Sequence, residues 1–207
     1  MITILAVSDE VVPWLHSPQL SERCAEVDLI VSCGDLPPDY LEYLVSTLNK
    51  PAFYVHGNHD AQWGRRAAAL PGWVNVDLQR VRAGRVHIAG LEGCLRYKPH
   101  APYQYTQSEQ WLRALWLARA LLPGFVRCGR GADIMLSHAP MRGVHEGADH
   151  AHRGFDAFLW LARAFKPRLW LHGHQHRAYN PRQPAETIVG ATRVVNVHPY
   201  RILTLED

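Results

Sequence analysis

Residues 52–60 read AFYVHGNHD, an apolar run that ends in a cluster of glycine, amide, imidazole and carboxylate groups. Short apolar runs bounded by glycine and polar residues are typical of buried β-strands. In open α/β sheets, ligands bind in the crevice beyond the carboxyl ends of the strands. The cluster at residues 57–60 therefore predicts a functional site at one edge of a sheet.

Four further segments repeat this arrangement of an apolar run followed by polar side chains. They are Ser8-Asp9 after Ile2–Val7, Gly34-Asp35 after Leu29–Ser32, Ser137-His138 after residues 134–136, and GHQH at 173–176 after residues 169–171. Because the carboxyl ends of parallel strands lie at the same edge of a sheet, the five segments are predicted to converge on one site.

The first third of the chain alternates strand-like runs with helical segments at 18–26, 39–48 and 62–70. Near-continuous apolar strands separated by helices are typical of a parallel sheet that is covered on both faces. Shorter strands with glycine punctuation follow residue 73, and further short strands follow residue 186, which indicates hairpins that enter a mixed sheet. We predict an α/β fold, a four-layer αββα sandwich of two mixed β-sheets flanked by helices, in a single domain over residues 1–207.

The strongest helical signal covers residues 107–122, where apolar side chains recur partly on one face. Ser108 is the expected N-cap of this helix, and Pro123-Gly124 is expected to end it. A further helix is predicted over residues 155–165, before Pro167.

Composition restricts the class of protein. The chain has 207 residues, of which 47% are hydrophobic and 20% charged, and its net charge is +3 with histidine neutral. Without a clustered basic stripe, this charge gives no strong sign of a nucleic-acid binder. No run reaches the roughly 18 apolar residues of a membrane span, so we expect no membrane helix. The four cysteines lack C-x-x-C spacing and indicate reduced thiols, which predicts a cytoplasmic protein.

Six polar side chains at the strand ends form a mixed set of potential metal ligands. They are Asp9, Asp35, Asn58, His138, His174 and His176. A set of carboxylate, amide oxygen and imidazole suits manganese, iron or zinc better than calcium or magnesium, which prefer oxygen ligands only. Each member alone is more often a turn residue or a satisfied polar group. The motifs GNHD and GHQH, both present and in this order after strands, favour the metal site.

With these motifs the chain resembles the calcineurin-like metallophosphoesterase superfamily over essentially its whole length. The resemblance implies a dinuclear metal-dependent phosphoesterase, in which Asp35 would bridge two divalent ions. One ion site would be completed by Asn58, His138 and His174, and the other would be served by Asp9 and His176.

The resemblance also implies roles for His59 and Asp60. His59 would contact the phosphate or the leaving group, and Asp60 would orient it. Two cations about 3.5–4 Å apart clamp the attacking and leaving oxygens of an in-line displacement and acidify a bridging water. A histidine beside a carboxylate suits a general acid.

The chain departs from the family pattern at its first motif, which is usually Asp-x-His. Residues 9–11 are DEV, and Val11 cannot bind a metal. Water or a carboxylate such as Glu10 would fill the gap, although Glu10 points away from Asp9 if the strand continues. Alternatively, one of three distant histidines swings in, or the ion binds weakly. The three are His16, His145 and His150. We expect a weakened but occupied two-metal site.

Three side chains are candidates for contact with the substrate. Arg96 and Tyr97 lie in the loop over residues 93–106, where arginine suits phosphate recognition and tyrosine can stack on a base. His145 lies in a second loop beside His138. The alternatives are a surface loop that packs on the following helix for the first pair, and an ordinary polar loop for His145.

The predicted activity is hydrolysis of a small phosphodiester or nucleotide-like phosphate ester by direct attack of a metal-bound hydroxide. Two other functions stay open. A non-catalytic metal-binding scaffold of the same fold is favoured by Val11, whereas a nuclease would require a basic groove that the sequence does not show.

Overall fold

The computed structural model describes residues 1–64, 66, 69–176 and 183–206. Its strands are β1 Ile2–Val7, β2 Leu29–Ser32, β3 Ala52–Tyr54, β4 Trp73–Asn75, β5 Arg80–Ala83, β6 Val86–Leu91, β7 Cys94–Leu95, β8 Gln104–Tyr105, β9 Ile134–Ser137, β10 Leu169–His172, β11 Glu186–Val189, β12 Thr192–Asn196 and β13 Tyr200–Leu205. Its helices are α1 Leu20–Arg23, α2 Pro38–Leu48, α3 Gln107–Cys128 and α4 Asp156–Phe165, with a 3-10 helix at Asp60–Trp63.

Two large mixed sheets carry the fold. The first has the strand order β13-β1-β2-β3-β4, and the second has the order β11-β12-β10-β9-β6-β5. Strands β1 to β4 run parallel, as do β12, β10, β9 and β6, while β13, β11 and β5 pair antiparallel at the edges. The predicted two mixed sheets flanked by helices are confirmed.

Successive side chains along each strand alternate between the core between the two sheets and the outer core beneath the helices. On β1, Ile4 and Ala6 belong to the core between the two sheets, whereas Leu5 and Val7 pack with α1 and α2 on the outer face. On the other sheet, Met135 and Trp170 pack outward against α3 and α4. Since successive side chains of a strand point to opposite faces, strands that are apolar throughout require cover on both sides. The result is the predicted four-layer αββα arrangement.

Helix α3 continues past the point where Pro123-Gly124 was expected to end it. Gly124 is buried, and a Cβ there would lie 2.7 Å from the Gly131 carbonyl oxygen. The next residue, Phe125, packs edge-on against Phe165 with ring centroids 5.8 Å apart. The helix ends at Gly129, which is left-handed with φ 74°. Tertiary packing therefore extends the helix beyond a residue that normally breaks it.

The cap of α3 also differs from the prediction, because Thr106 and not Ser108 occupies the N-cap. The Thr106 hydroxyl accepts from the Glu109 N–H at 3.2 Å, and the Glu109 carboxylate accepts from the Thr106 N–H at 2.7 Å. This reciprocal pair is a capping box, which satisfies two backbone donors that the helix itself leaves unpaired.

Thr106→Ala is expected to lower the free energy of unfolding by about 1 kcal/mol, because it removes the cap. Ser108→Ala is the matched control. Ser108 is exposed in the first turn, and its removal should change stability by less than about 0.5 kcal/mol. Urea unfolding of both variants measures the difference, and equal effects would contradict the assignment of the cap.

Two further expectations from the sequence concern a helix after the GNHD motif and the absence of a membrane-spanning helix. The helix predicted over residues 62–70 lies partly outside the described residues, and its described start is the 3-10 helix Asp60–Trp63. No helix in the described part of the chain combines the length and the apolar character that a bilayer crossing needs.

Candidate metal centre

The five polar segments meet where the parallel strands of both sheets end. Three of their residues have left-handed backbone, namely Asp9 with φ 67°, Asp35 with φ 59° and His174 with φ 64°. This conformation is uncommon for residues other than glycine and costs free energy, and such residues cluster at functional sites. All three residues lie within three positions of the end of a parallel strand, so the chain changes direction at the edge where the polar segments meet.

Asp35 lies at the centre of this edge and is buried. Its Oδ1 accepts from the His59 N–H at 2.7 Å, and its Oδ2 lies 3.3 Å from His138 Nε2. Gly57 must be glycine, because a Cβ there would lie 2.2 Å from Asp35 Oδ1. The glycine of the GNHD motif therefore makes room for the carboxylate.

His138 is fully buried and has both ring nitrogens engaged. Its Nδ1 lies 2.7 Å from the Cys33 carbonyl oxygen, and its Nε2 lies 3.0 Å from Asn58 Oδ1. A carbonyl partner on one nitrogen that leaves the other to face carboxylate and amide oxygens is typical of a metal-ligating histidine. Burial lowers the pKa of His138, but Asp35 outweighs burial and raises this pKa to about 9. A metal ion at Nε2 would therefore displace a proton.

His174 completes a candidate metal-binding cluster with Asp35 and His138. One ligand atom from each residue lies within 4.8 Å of the other two, and all three residues are buried. His174 Nε2 lies 2.9 Å from the Ala151 carbonyl oxygen, which places the ring proton on Nε2 and leaves a lone pair on Nδ1. Burial, with the nearby His138 charge, lowers the pKa of His174 to about 3, so this ring is neutral as a ligand must be.

Asp9 and His176 lie in the adjoining half of the site. Asp9 accepts from the His174 N–H at 3.0 Å, and its Oδ1 lies 3.9 Å from His176 Nε2. A Cβ on Gly173 would lie 1.9 Å from Ser8 Oγ and 2.5 Å from Asp9 Oδ2. The glycine of the GHQH motif thus lets β10 approach the end of β1. All six predicted ligands are brought to one edge, while their role as ligands stays a prediction.

The structure gives Asp60 different contacts from those expected. Its Oδ2 accepts from the Gly57 N–H at 2.7 Å and from the Asp35 N–H at 3.2 Å. In the described part of the chain, its hydrogen bonds go to backbone and not to the His59 ring. Burial, followed by the Asp35 charge, raises the pKa of Asp60 to about 6. Asp60 therefore joins the two ligand loops, and the exposed His59 side chain points away from the interior.

Val11 is half-buried against the outer core of the first sheet and cannot contribute to the site. The three histidines considered as substitutes are engaged elsewhere. His16 packs on Tyr43 with ring centroids 4.6 Å apart, and His150 Nε2 lies 3.0 Å from the Arg96 carbonyl oxygen. His145 is buried in a separate cluster with His172.

Tyr97 lies at the site, because its hydroxyl accepts from Asn58 Nδ2 at 3.1 Å. It also lines an open groove of about 630 Å³. The groove is lined by Arg96, Tyr97, Lys98, Pro99, His100 and His150. The Arg96 guanidinium is turned toward α3, 2.8 Å from the Glu109 carboxylate. The substrate contact of Tyr97 stays a prediction, whereas the Arg96 charge that was expected to bind phosphate is already paired with Glu109.

His145 does not lie on the substrate rim as predicted. It is only 4% exposed, with Nδ1 2.9 Å from His172 Nε2 and Nε2 2.8 Å from Thr187 Oγ1. Since His172 Nδ1 lies 3.0 Å from the Gly173 carbonyl oxygen, the three side chains form one neutral hydrogen-bonded chain. These hydrogen bonds attach the loop after β9, which carries His145, to strands of the second sheet.

The neutral state of His145 predicts acid sensitivity. Burial lowers the pKa of His145 to about 4, against about 6.5 in the unfolded chain. Its contribution to stability is therefore fully present above about pH 6.5 and is lost as the pH falls toward 4. Between pH 7.5 and 5, the wild type should lose about 2 kcal/mol more unfolding free energy than His145→Gln. Urea unfolding at both pH values tests this, with the exposed His100→Gln as a control that keeps the wild-type loss.

A polar network behind the site was missed from the sequence. Glu92 Oε2 lies 2.9 Å from His56 Nδ1, and its Oε1 accepts from the Tyr105 hydroxyl at 2.6 Å. The Arg113 guanidinium lies 3.4 Å from Glu92 and 2.6 Å from Asp77. The network holds the residue that precedes the GNHD motif. The sequence feature that could have revealed this network is the position of Glu92 directly after strand β6, at the same edge as the predicted ligands.

A family model described as calcineurin-like phosphoesterase matches residues 4–178. The chain belongs to this family, whose members are metal-dependent, and the two-sheet fold and the Asp35, His138 and His174 cluster agree with that membership.

Individual relatives are more distant. The UDP-2,3-diacylglucosamine hydrolase of Sodalis glossinidius (strain morsitans) is 26% identical over 140 residues, which are 66% of this chain and 57% of that protein. The chain thus spans little more than half the length of this curated relative.

Two solved structures from Thermus thermophilus share the fold. The protein TT1561 has a TM-score of 0.65 at 20% identity, and the match covers 95% of this chain and 88% of that one. The 5'-nucleotidase precursor has a TM-score of 0.51 at 15% identity, and the match covers 95% of this chain and 48% of that one.

Proposed function

We propose that this protein is a dinuclear metal-dependent phosphoesterase that hydrolyses a small phosphodiester or nucleotide-like phosphate ester. The observation that carries the proposal is the convergence of Asp35, His138 and His174 within 4.8 Å of one another. Carboxylate and imidazole ligands of this kind suit manganese, iron or zinc. Two such ions would supply Lewis acidity and a water of lowered pKa.

Three side chains of the protein would have separate roles in the reaction. Asp35 has one oxygen beside His138 and directly follows Gly34, whose carbonyl oxygen accepts from the Asp9 N–H at 3.1 Å, which supports a bridging role. Asp60 positions the loop that carries Asn58 and His59. The exposure of the His59 imidazole supports a role as the proton donor to a leaving oxygen, a step typically worth about 10²–10⁴-fold.

The groove beside Tyr97 supports a compact substrate. Its volume of about 630 Å³ falls within the range of small-molecule sites. The Tyr97 ring lies between this groove and Asn58, where it can stack on a nucleobase or sugar. The relative named UDP-2,3-diacylglucosamine hydrolase is named for a UDP-linked substrate, so UDP-linked phosphate esters belong among the compounds to test.

The location that we propose is the cytoplasm. Cys24, Cys33 and Cys94 are buried free thiols and Cys128 is an exposed one, which supports a reducing compartment.

The test is hydrolysis of bis(p-nitrophenyl) phosphate by protein that has been stripped of metal and then titrated with Mn²⁺, Zn²⁺ or Fe²⁺. Turnover of this diester should appear with added metal and exceed that of the monoester p-nitrophenyl phosphate. Bound metal without turnover of either ester would favour the scaffold function, for which Val11 is the specific observation. Steep salt-dependent binding of DNA would instead favour a nuclease.

A further inference from the structure

Val11 leaves the ion of Asp9 and His176 with few ligands, but the turn after β1 brings another carboxylate to this place. The left-handed backbone of Asp9 ends the strand, and the Glu10 N–H donates to the Ser8 carbonyl oxygen at 2.7 Å. Glu10 therefore does not continue the strand alternation that would have pointed it away from Asp9. Its Oε2 lies 3.6 Å from His198 Nε2.

His198 reaches the site just after the end of strand β12, which pairs in parallel with β10. Its ring stacks on His176, with centroids 4.3 Å apart and planes at 23°. The carbonyl oxygen of the following residue, Pro199, accepts from the Ser8 N–H at 3.0 Å, which fixes this segment beside Asp9. His198 is thus the imidazole that the fold places next to His176 and the DEV segment.

The segment before His198 is fastened to the GHQH loop by Asn196. Asn196 Oδ1 accepts from the His198 N–H at 3.1 Å, and Asn196 Nδ2 donates to the Gln175 carbonyl oxygen at 2.8 Å. The side chain of His198 is 7% exposed and that of Glu10 is 64% exposed. The His198 imidazole is therefore enclosed by protein, whereas the Glu10 carboxylate lies at the solvent-facing rim.

We infer that Glu10 and His198 replace the imidazole missing at position 11 as ligands of the ion held by Asp9 and His176. The inference rests on the proposed function, since it concerns the second ion of that site. It changes the ligand set from the family pattern to one that draws on β12 as well as β1 and β10. The combination of carboxylate and imidazole ligands suits the same transition metals as the first ion.

The experiment titrates the metal-free full chain with Mn²⁺ by calorimetry and counts bound manganese by elemental analysis after gel filtration. The variants are Glu10→Gln and His198→Gln, with His16→Gln as a control that removes an exposed imidazole engaged with Tyr43. The wild type and the control should bind two ions. Each of the two variants should keep the tighter ion and bind the second at least about tenfold more weakly.

The outcomes separate this inference from the proposed function. Two ions bound with wild-type affinity in both variants would overturn the inference alone and leave the proposed dinuclear esterase intact. A single ion in the wild type would overturn the inference together with the dinuclear site. No bound ion in the wild type would overturn both. Because Glu10 is exposed, its substitution tests the ligand role even if His198→Gln unfolds.

Discussion

Asp35→Asn is expected to reduce metal-dependent kcat at least about 100-fold, which is the scale found when one preorganised electrostatic group is removed from an active site. Asparagine keeps an oxygen that can accept from the His59 N–H, now 2.7 Å from Asp35 Oδ1, but it loses the charge beside His138. Without that charge, the two proposed ions would lose their shared carboxylate ligand. Metal content should fall together with the rate.

The matched control for Asp35→Asn is Asp28→Asn. Asp28 lies just before β2, at the opposite end of the strand that leads to Asp35, where it accepts from the Thr3 N–H at 2.8 Å. This variant should retain both metal content and turnover. Wild-type rates in folded Asp35→Asn, as judged by circular dichroism, would contradict the bridging role.

His59→Ala is expected to lower kcat by about 10²–10⁴-fold on a substrate with a poor leaving group, because it removes the proposed proton donor. The variant should bind metal and unfold like the wild type. In the wild type, the His59 imidazole is exposed, and the contact with Asp35 is made by the His59 backbone N–H, which alanine retains. His87→Ala, a half-exposed imidazole at the start of β6, is the control and should keep wild-type activity.

The leaving group distinguishes the two roles suggested for His59. A p-nitrophenolate departs without protonation, whereas the alkoxide of a nucleotide ester needs a proton. A general acid therefore predicts a much smaller loss with bis(p-nitrophenyl) phosphate than with a nucleotide diester. Equal losses with both substrates would show that His59 acts on the phosphate charge and does not donate the proton.

Much of the fold was predictable because its signals are local. The runs Ile2–Val7 and Leu29–Ser32 are apolar except for Thr3 and Ser32, as is typical of strands that are covered on both faces. The end of α3 was not predictable, since Pro123 normally breaks a helix. Its continuation depends on Gly124 and Phe125, whose packing partners Gly131 and Phe165 lie outside this helix.

The site follows the same division. The predicted ligands Asp35 and His138 closely follow strands in the sequence, and that position was enough to expect them at one edge of the fold. His145 was misplaced, because its burial depends on His172 and Thr187 in other strands. His198 had no motif around it, and its closeness to His176 arises only from the pairing of β12 with β10.

The contacts that join the two sheets also have a consequence for the order of folding. The contact between Asp9 and His174 joins residues 165 positions apart, and that between Cys33 and His138 joins residues 105 apart. Pairings of such separation form slowly, because the chain must first be closed over a long loop. An intermediate with only one sheet assembled would hold Asp9 and Asp35, or His138 and His174, but never both pairs. Acquisition of metal affinity during refolding would therefore time the docking of the two sheets.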